Sequence, residues 1–591
     1  MMNPIQQAIL KQKVALLIQK NQQKEANAIV QQLLRETPND IELLVSAAQI
    51  CEFLNDNESA VRYYFRISTL NIPEQSKINF LEKSLHICKV FQLYKFGLVI
   101  SNEIIKFKPN DLNTLFLCGF FNFQNKYILK SIEYFQKVLA IDIKNNPSKL
   151  YLALNYSQIG QAKTARDFFR EHIEVNTNNG VSEPQSLYCF NFEDDVNETT
   201  ISNAHKAYGQ YLENISSPSQ FTATKRNPKI RIGYVSACFY WHSIGYFFKA
   251  ALEGTSRSDF DIYCYSDTKQ TDDMTELLMS KSDHWSDTKS LSNDELSQQI
   301  LNDSIDILVD LSGYTKGSRM GMFSQKPAPI QVAYLGYPNT TGLSRIDYRI
   351  VDRWSDTKES DKFYAEKLVR LPSGFLCFFP DKDAPTVSDA PSLENETICF
   401  GSFNTFSKIT DQVINLWSKV LGETKNSRLL IKAGPLHDEQ FCQWVWKRFE
   451  SNNIPRESVE LIGWTEDTAS HLQLYSLVDI HLDTFPYNGT TTTCEALWQG
   501  VPTITLAGAH HRERVSMSIL SQVGLEEFIA YSEKEYIAIA VKTANNRKAL
   551  HTLRTEMRVK MQQSYLMDVE LFSSELADAY KLMFTNFLDE K

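Results

Sequence analysis

At 591 residues the chain exceeds what a single hydrophobic core organises and is expected to divide into about three or four domains. Hydrophobic content of 43% and charged content of 22% are ordinary for a folded protein. The net charge of −10 argues against a nucleic-acid partner, which asks for a surplus of Lys and Arg on one face. The ten cysteines include no CxxC pair, so neither a zinc site nor a dithiol redox site is expected. Cysteines scattered through a chain of this size read as small buried hydrophobes in a reducing compartment. Residues 1–10 carry no basic segment followed by an apolar run, and no stretch approaches the roughly 18 uninterrupted apolar residues of a membrane span. The expected location is cytoplasmic.

Residues 1–175 read as helix after helix, with apolar positions three and four apart, as in Ala26, Ile29, Val30, Leu33 and Leu34. Turn residues return at a fixed interval through Pro38-Asn39-Asp40, Pro73 and Pro109-Asn110-Asp111. The prolines stand 35 and 36 residues apart, close to the roughly 34-residue period of tetratricopeptide repeats. Similar second helices recur at Ala60 to Tyr64, Ser131 to Phe135 and Ala165 to Phe169. One such pair cannot bury its own apolar face, so the expectation is an α-solenoid of stacked repeats.

Residues 176–228 are mixed and polar and read as a connector with one helix near Ser202 to Leu212. Two strand-and-helix series follow, over 229–385 and 396–591, parted by the polar text Asp381 to Pro391. Expected strands in the first are Ile230 to Ser236, Phe260 to Ser266, Ile305 to Leu311, Gln331 to Gly336 and Ile346 to Val351. In the second they are Ile398 to Phe403, Arg428 to Lys432, Val459 to Ile462, Val478 to Leu482 and Pro502 to Leu506. Near-continuous apolar strands alternating with helices predict parallel sheets covered on both faces. The fold class is therefore α plus α/β: a solenoid followed by two Rossmann-like domains facing a cleft, with ligands at the carboxyl ends of the strands.

The chain lacks GxGxxG, Walker A and HExxH patterns. Its most unusual string is His481-Leu-Asp-Thr-Phe-Pro-Tyr-Asn-Gly-Thr-Thr-Thr-Thr-Cys-Glu-Ala-Leu-Trp498. A strand turns through Asn488-Gly489 and meets four threonines ahead of a helix. Free backbone N–H groups, the helix dipole and the hydroxyls of Thr490, Thr491 and Thr492 suit a diphosphate held without a metal. The alternative is simple capping, with Glu495 completing a capping box. Gly401-Ser-Phe-Asn-Thr-Phe-Ser-Lys408 places one cation just past a strand, where Lys408 either neutralises phosphate or is merely solvated. His471, near Leu472 and Tyr475, either stacks on a base or sits in a core. His242 follows the first strand and suits proton transfer, although a lone histidine more often serves structure.

Together these strings resemble the O-linked N-acetylglucosamine transferase family, particularly its bacterial and SPINDLY-like branch. The resemblance rests on Ile230 to Ser236, Asp310-Leu-Ser-Gly-Tyr-Thr-Lys-Gly317, Pro327-Ala-Pro-Ile-Gln331, Leu335-Gly-Tyr-Pro-Asn-Thr-Thr-Gly342 and Asp483 to Glu495. It implies two Rossmann-like domains in a GT-B arrangement and inverting transfer from a nucleotide sugar to Ser or Thr of proteins held by the repeats. It assigns Lys408 to the donor diphosphate, His471 to the base, Thr490 to Thr492 to the phosphate-binding turn and Glu495 to the ribose hydroxyls. His242 falls at the sugar and acceptor end, and Gly336, Tyr337 and Pro338 join the nucleotide-sugar residues. Thr405 stands where some relatives have Gln, Thr490 where some have His, and Asp306 where the animal branch has His. These departures bear on the base and sugar. UDP-N-acetylglucosamine is the expected donor, GDP-fucose its rival because SPINDLY-like members can be fucosyltransferases, and UDP-glucose a third. A repeat scaffold with an inactive transferase half is the reading of another class. No metal or other cofactor is expected, and Lys316, at another strand end, is placed outside the diphosphate site.

Overall fold

The computed structural model describes residues 3–174, 184–219 and 228–590, so the connector text Asn176 to Gly180 lies outside the described residues. The chain falls into two compact units, Met1–Asn155 and Tyr156–Lys591.

In the first unit, helices from Pro4–Gln19 to Ile128–Ile141 follow one another, each packed on its neighbours in sequence. The recurrent Pro-Asn-Asp turns set the helix starts. The Asp40 carboxylate accepts from Leu43 N at 3.2 Å and the Asp111 carboxylate from Thr114 N at 2.9 Å, each N-cap contributing about 1 kcal/mol. Ala47, Val61, Tyr64, Leu81, Cys88 and Phe121 are buried between the helices. Packing is close enough that a Cβ at Gly97 would lie 2.1 Å from the Phe121 ring. Helices that bury their apolar faces against sequence neighbours form a tetratricopeptide-like repeat region.

The second unit holds two sheets. The first contains β1 (Ile230–Ser236), β2 (Phe260–Ser266), β3 (His284–Asp287), β4 (Ile307–Asp310), β5 (Ile330–Ala333), β6 (Tyr348–Asp352) and β7 (Lys367–Leu371), in the order β3-β2-β1-β4-β5-β6-β7. The second contains β8 (Ile398–Ser402), β9 (Ser427–Lys432), β10 (Val459–Ile462), β11 (Ile480–Leu482), β12 (Thr503–Leu506) and β13 (Ile529–Ala530), in the order β10-β9-β8-β11-β12-β13. Every neighbouring pair is parallel. β3, β7 and β13, which sequence periodicity misses, are edge strands. β3 and β7 mix polar residues with apolar ones, and β13 has two residues. Edge strands need no continuous apolar run.

The connector holds two described helices rather than one, Pro184–Cys189 and Glu198–Ile215. The second packs on the first sheet's loops: a Cβ at Gly209 would lie 2.1 Å from Gly342 O, and His205 Nε2 lies 2.7 Å from the Tyr337 hydroxyl. Burial pushes the His205 imidazole down to about 4. Its buried positions, Ile201, His205, Gly209 and Leu212, keep helical spacing but include few apolar residues, which hid the packed face in polar text. The last helix, Val569–Asp589, follows the second domain in sequence yet returns to the first. Tyr580 hydrogen-bonds Tyr234 through their hydroxyls at 3.2 Å, and Lys581 pairs with Asp259 at 2.7 Å.

Candidate active site

Loops at the carboxyl ends of both sheets line one cavity of about 800 Å³. From the second domain come Asn404, Thr405, Lys408, Tyr487, Thr490, Thr491 and Thr492. From the first come His242, Lys269, Lys316 and Gly336, and from the connector Tyr188.

Lys408 ends the short turn Phe406–Lys408 beyond β8. Its Nζ donates to Asn488 O at 2.6 Å and lies 4.1 Å from the centre of the Tyr487 ring. It makes no ion pair among the described residues, and burial pushes its ammonium down to about 8, against a smaller opposing pull from Asp483. A cation in a cavity wall without a carboxylate is suited to an anionic ligand.

The turn ahead of the helix Thr491–Trp498 is organised from beneath by Asp483. Its Oδ1 accepts from Thr484 N at 2.9 Å and Gly489 N at 2.7 Å, and its Oδ2 from the Thr505 hydroxyl at 2.8 Å. Position 489 needs glycine, since a Cβ there would lie 2.7 Å from the hydroxyls of both Thr492 and Thr493. Thr490 makes no side-chain cap bond, so the capping alternative is not observed. The first-turn N–H groups have no intrahelical acceptor and carry the positive end of the dipole. Thr492 Oγ1 donates to Asn404 Oδ1 at 3.1 Å, while the buried Asn404 amide nitrogen has no partner among the described residues. The Thr491 hydroxyl reaches Ser243 of the first domain at 2.8 Å.

His471 and Glu495 do not line this cavity but form an adjoining cluster, with His471 Nε2 3.2 Å from Glu495 Oε2. Lys432, at the end of β9, donates to His471 Nδ1 at 2.9 Å. The imidazole proton then sits on Nε2 and points at the carboxylate. Sequence reasoning missed Lys432, although its place at a strand end was the available signal.

His242 is the N-cap of the helix Ser243–Gly254, its Nδ1 accepting from Ile244 N at 3.3 Å. Burial lowers its pKa. With Nδ1 occupied as an acceptor, the neutral ring carries its proton on Nε2. Gly336 lines the cavity through backbone, and a Cβ there would meet Leu311 O at 1.9 Å. Thr405 is exposed at the wall, its hydroxyl 3.1 Å from that of Ser407.

Three expectations are corrected. Tyr337 and Pro338 do not reach the cavity: both are buried beyond Gly336, and the Tyr337 hydroxyl is committed to His205. Asp306 stands at the amino end of β4, where Oδ2 accepts from Arg231 N at 2.9 Å, so it is remote from the strand ends that hold ligand. The separation expected for Lys316 is narrowed, because the loop after β4 brings it into the same cavity as Lys408. Among the described residues, no group of three or more His, Cys, Asp or Glu side chains is placed to hold a metal ion.

Two doubly wound domains whose sheets present their carboxyl ends to one cavity, preceded in sequence by helical repeats, have the GT-B architecture. The chain belongs to Glycosyl transferase family 41, whose profile matches residues 199–383 and 379–576. It is 37% identical over 412 residues to a Hordeum vulgare protein named "Probable UDP-N-acetylglucosamine--peptide N-acetylglucosaminyltransferase SPINDLY", covering 68% of this chain and 43% of the relative. It is 30% identical over 365 residues to the Arabidopsis thaliana protein with the same enzyme name and the designation SEC, covering 60% of this chain and 37% of that one. The chain thus spans less than half the length of these relatives. A solved mutant of Thermobaculum terrenum O-GlcNAc transferase superposes with a TM-score of 0.79 at 28% identity, covering 88% of this chain and 100% of that one.

Proposed function

We propose that the chain is an inverting protein O-glycosyltransferase that moves N-acetylglucosamine from UDP-N-acetylglucosamine to Ser or Thr of protein acceptors. The observation that carries this is the Lys408 ammonium, without an ion pair and beside the threonine-lined helix start, across one cavity from His242. A nucleotide sugar fits this distribution of charge, its diphosphate against Lys408 and Thr490 to Thr492 and its nucleoside toward His471 and Glu495. Negative charge grows on the leaving diphosphate as the anomeric bond breaks, and fixed donors aimed there lower the barrier. Because His242 offers an N–H through Nε2, it acts as a hydrogen-bond donor at the sugar. The acceptor hydroxyl proton then passes to a donor phosphate oxygen.

Lysine and helix terminus supply the positive charge that a divalent cation supplies elsewhere, so the reaction needs no metal. The names of the relatives favour UDP-N-acetylglucosamine as donor, and the repeats are the region proposed to hold the acceptor protein. No described helix is long and apolar enough to cross a membrane. The proposed setting is reducing and cytoplasmic, in keeping with ten cysteines that stay as free thiols. The test is a panel of UDP-N-acetylglucosamine, UDP-glucose and GDP-fucose, scored for binding, hydrolysis and transfer to protein. UDP-N-acetylglucosamine should lead. A preference for GDP-fucose reverses the donor, and absence of binding by all three leaves a repeat scaffold.

A further inference from the structure

A cation buried beside the reacting group must be held without being neutralised. A carboxylate partner would hold Lys408 but would compete with the ligand for its charge. Here the ammonium is held by one carbonyl, Asn488 O, and by the face of Tyr487 at 4.1 Å. An aromatic face attracts a cation through its quadrupole yet carries no net charge, so the full positive charge remains available. Tyr487 is itself fixed from outside both sheets. Its hydroxyl faces that of Tyr188, on the helix Pro184–Cys189. The Phe192 ring packs against it with centroids 5.1 Å apart. Tyr188 and Tyr487 both line the cavity.

We infer that Tyr487 is a positioning residue for Lys408, holding the ammonium at the diphosphate through its ring face, with Tyr188 of the connector fixing the ring. The inference rests on the diphosphate reading of Lys408. It assigns the connector a part in turnover that the two sheet domains do not supply.

The test compares kcat and donor KM for the wild type, Tyr487→Phe, Tyr487→Leu and phenylalanines bearing one to three ring fluorines at position 487. Tyr487→Leu should lower kcat roughly three- to thirtyfold, the range of a desolvated cation–ring contact. Donor KM should move by no more than about twofold, because the group acts on charge that develops in the transition state. Tyr487→Phe keeps the face but loses the hydroxyl that faces Tyr188 and should recover most of that loss, staying within about threefold of wild type. Each fluorine withdraws electron density with little change in size, so kcat should fall stepwise along the series. A purely structural ring would give a flat series, and that outcome overturns the inference even where Tyr487→Leu fails to fold. A Tyr487→Leu protein within about twofold of wild type overturns it as well. A wild type that neither binds nor turns over any nucleotide sugar removes the donor reading itself, a result distinct from an active wild type with a flat series.

Discussion

Both sheets end at the same cavity, but they furnish it differently. At the second sheet, polar groups are tied to one another: Lys432 to His471, His471 to Glu495, Thr492 to Asn404, with Asp483 anchoring the turn. Lys408 makes no ion pair among the described residues and is held by the Asn488 carbonyl at 2.6 Å. At the first sheet the acid is already neutralised, since Arg319 grips both oxygens of Asp267 at 2.7 Å. Lys269, Lys316 and His242 stand on separate loops, the two lysines exposed and without ion pairs among the described residues. One wall is preorganised for a ligand of fixed chemistry, and the other is open enough for a variable one. That division suits a constant donor and a protein acceptor.

The largest effect should come from the preorganised wall. Lys408→Ala should lower kcat by roughly 10²–10³-fold, the usual loss for one fixed stabilising group. The melting temperature should hold, because its side chain makes one described hydrogen bond and no ion pair. Lys408→Arg should rescue poorly, a planar guanidinium being a poor substitute for a compact ammonium. Lys316→Ala should lose much less, and Lys419→Ala, whose partner is the surface residue Glu533, serves as the silent control. A Lys316→Ala enzyme more damaged than Lys408→Ala would exchange the roles of the two walls.

Next comes the repeat region. Deleting residues 1–145 should leave nucleotide binding intact while weakening whole-protein acceptors by roughly 10²-fold, the order expected when one of two linked contacts is lost. Cutting at 175 instead would remove Arg166, which pairs with Glu193 at 2.6 Å inside the second unit, and would confound the result. Equal transfer with and without the repeats, measured on intact acceptors, would take them out of substrate selection.

A smaller effect is set by pH. Burial brings the Lys408 ammonium from its ordinary 10.5 to about 8, so the neutral amine takes over above that value. Donor kcat/KM should therefore fall about tenfold per unit above pH 8, and Lys408→Arg should flatten that limb while remaining slow. Between about 8 and 10.5 the unfolded chain binds a proton that the folded chain does not, so this group makes stability rise with pH in that window. The smallest expected effect is none: turnover should survive EDTA. Loss on chelation, restored by manganese, would show that lysine and helix terminus do not suffice.

How much of this was legible in sequence depends on distance along the chain. Central strands such as β1 and β4 announce themselves because both faces are buried, whereas the edge strands β3 and β7 are half polar and do not. Thr490 to Thr492 are legible because a turn and a helix start lie within a few residues of each other. Lys432 is not, because its meaning depends on His471, which the helix Thr468–Gln473 brings within 2.9 Å. Tyr337 misled for the same reason: its string lies beside the cavity, but a helix of the connector supplies the histidine that holds its side chain in the core.

Periodicity, turn residues and strand grammar by themselves determined a repeat region, two parallel-sheet domains and the strand ends where a ligand belongs, since each is set by local propensity and burial. Tertiary structure decided which strand-end residues share a wall. It turned Tyr337 inward, placed Asp306 at the far end of its strand and brought Lys316 into the cavity. It also set Lys408 against Tyr487 and returned the last helix to the first domain. Those outcomes follow from packing between segments remote in sequence, where shape and desolvation rather than local spacing select the partner.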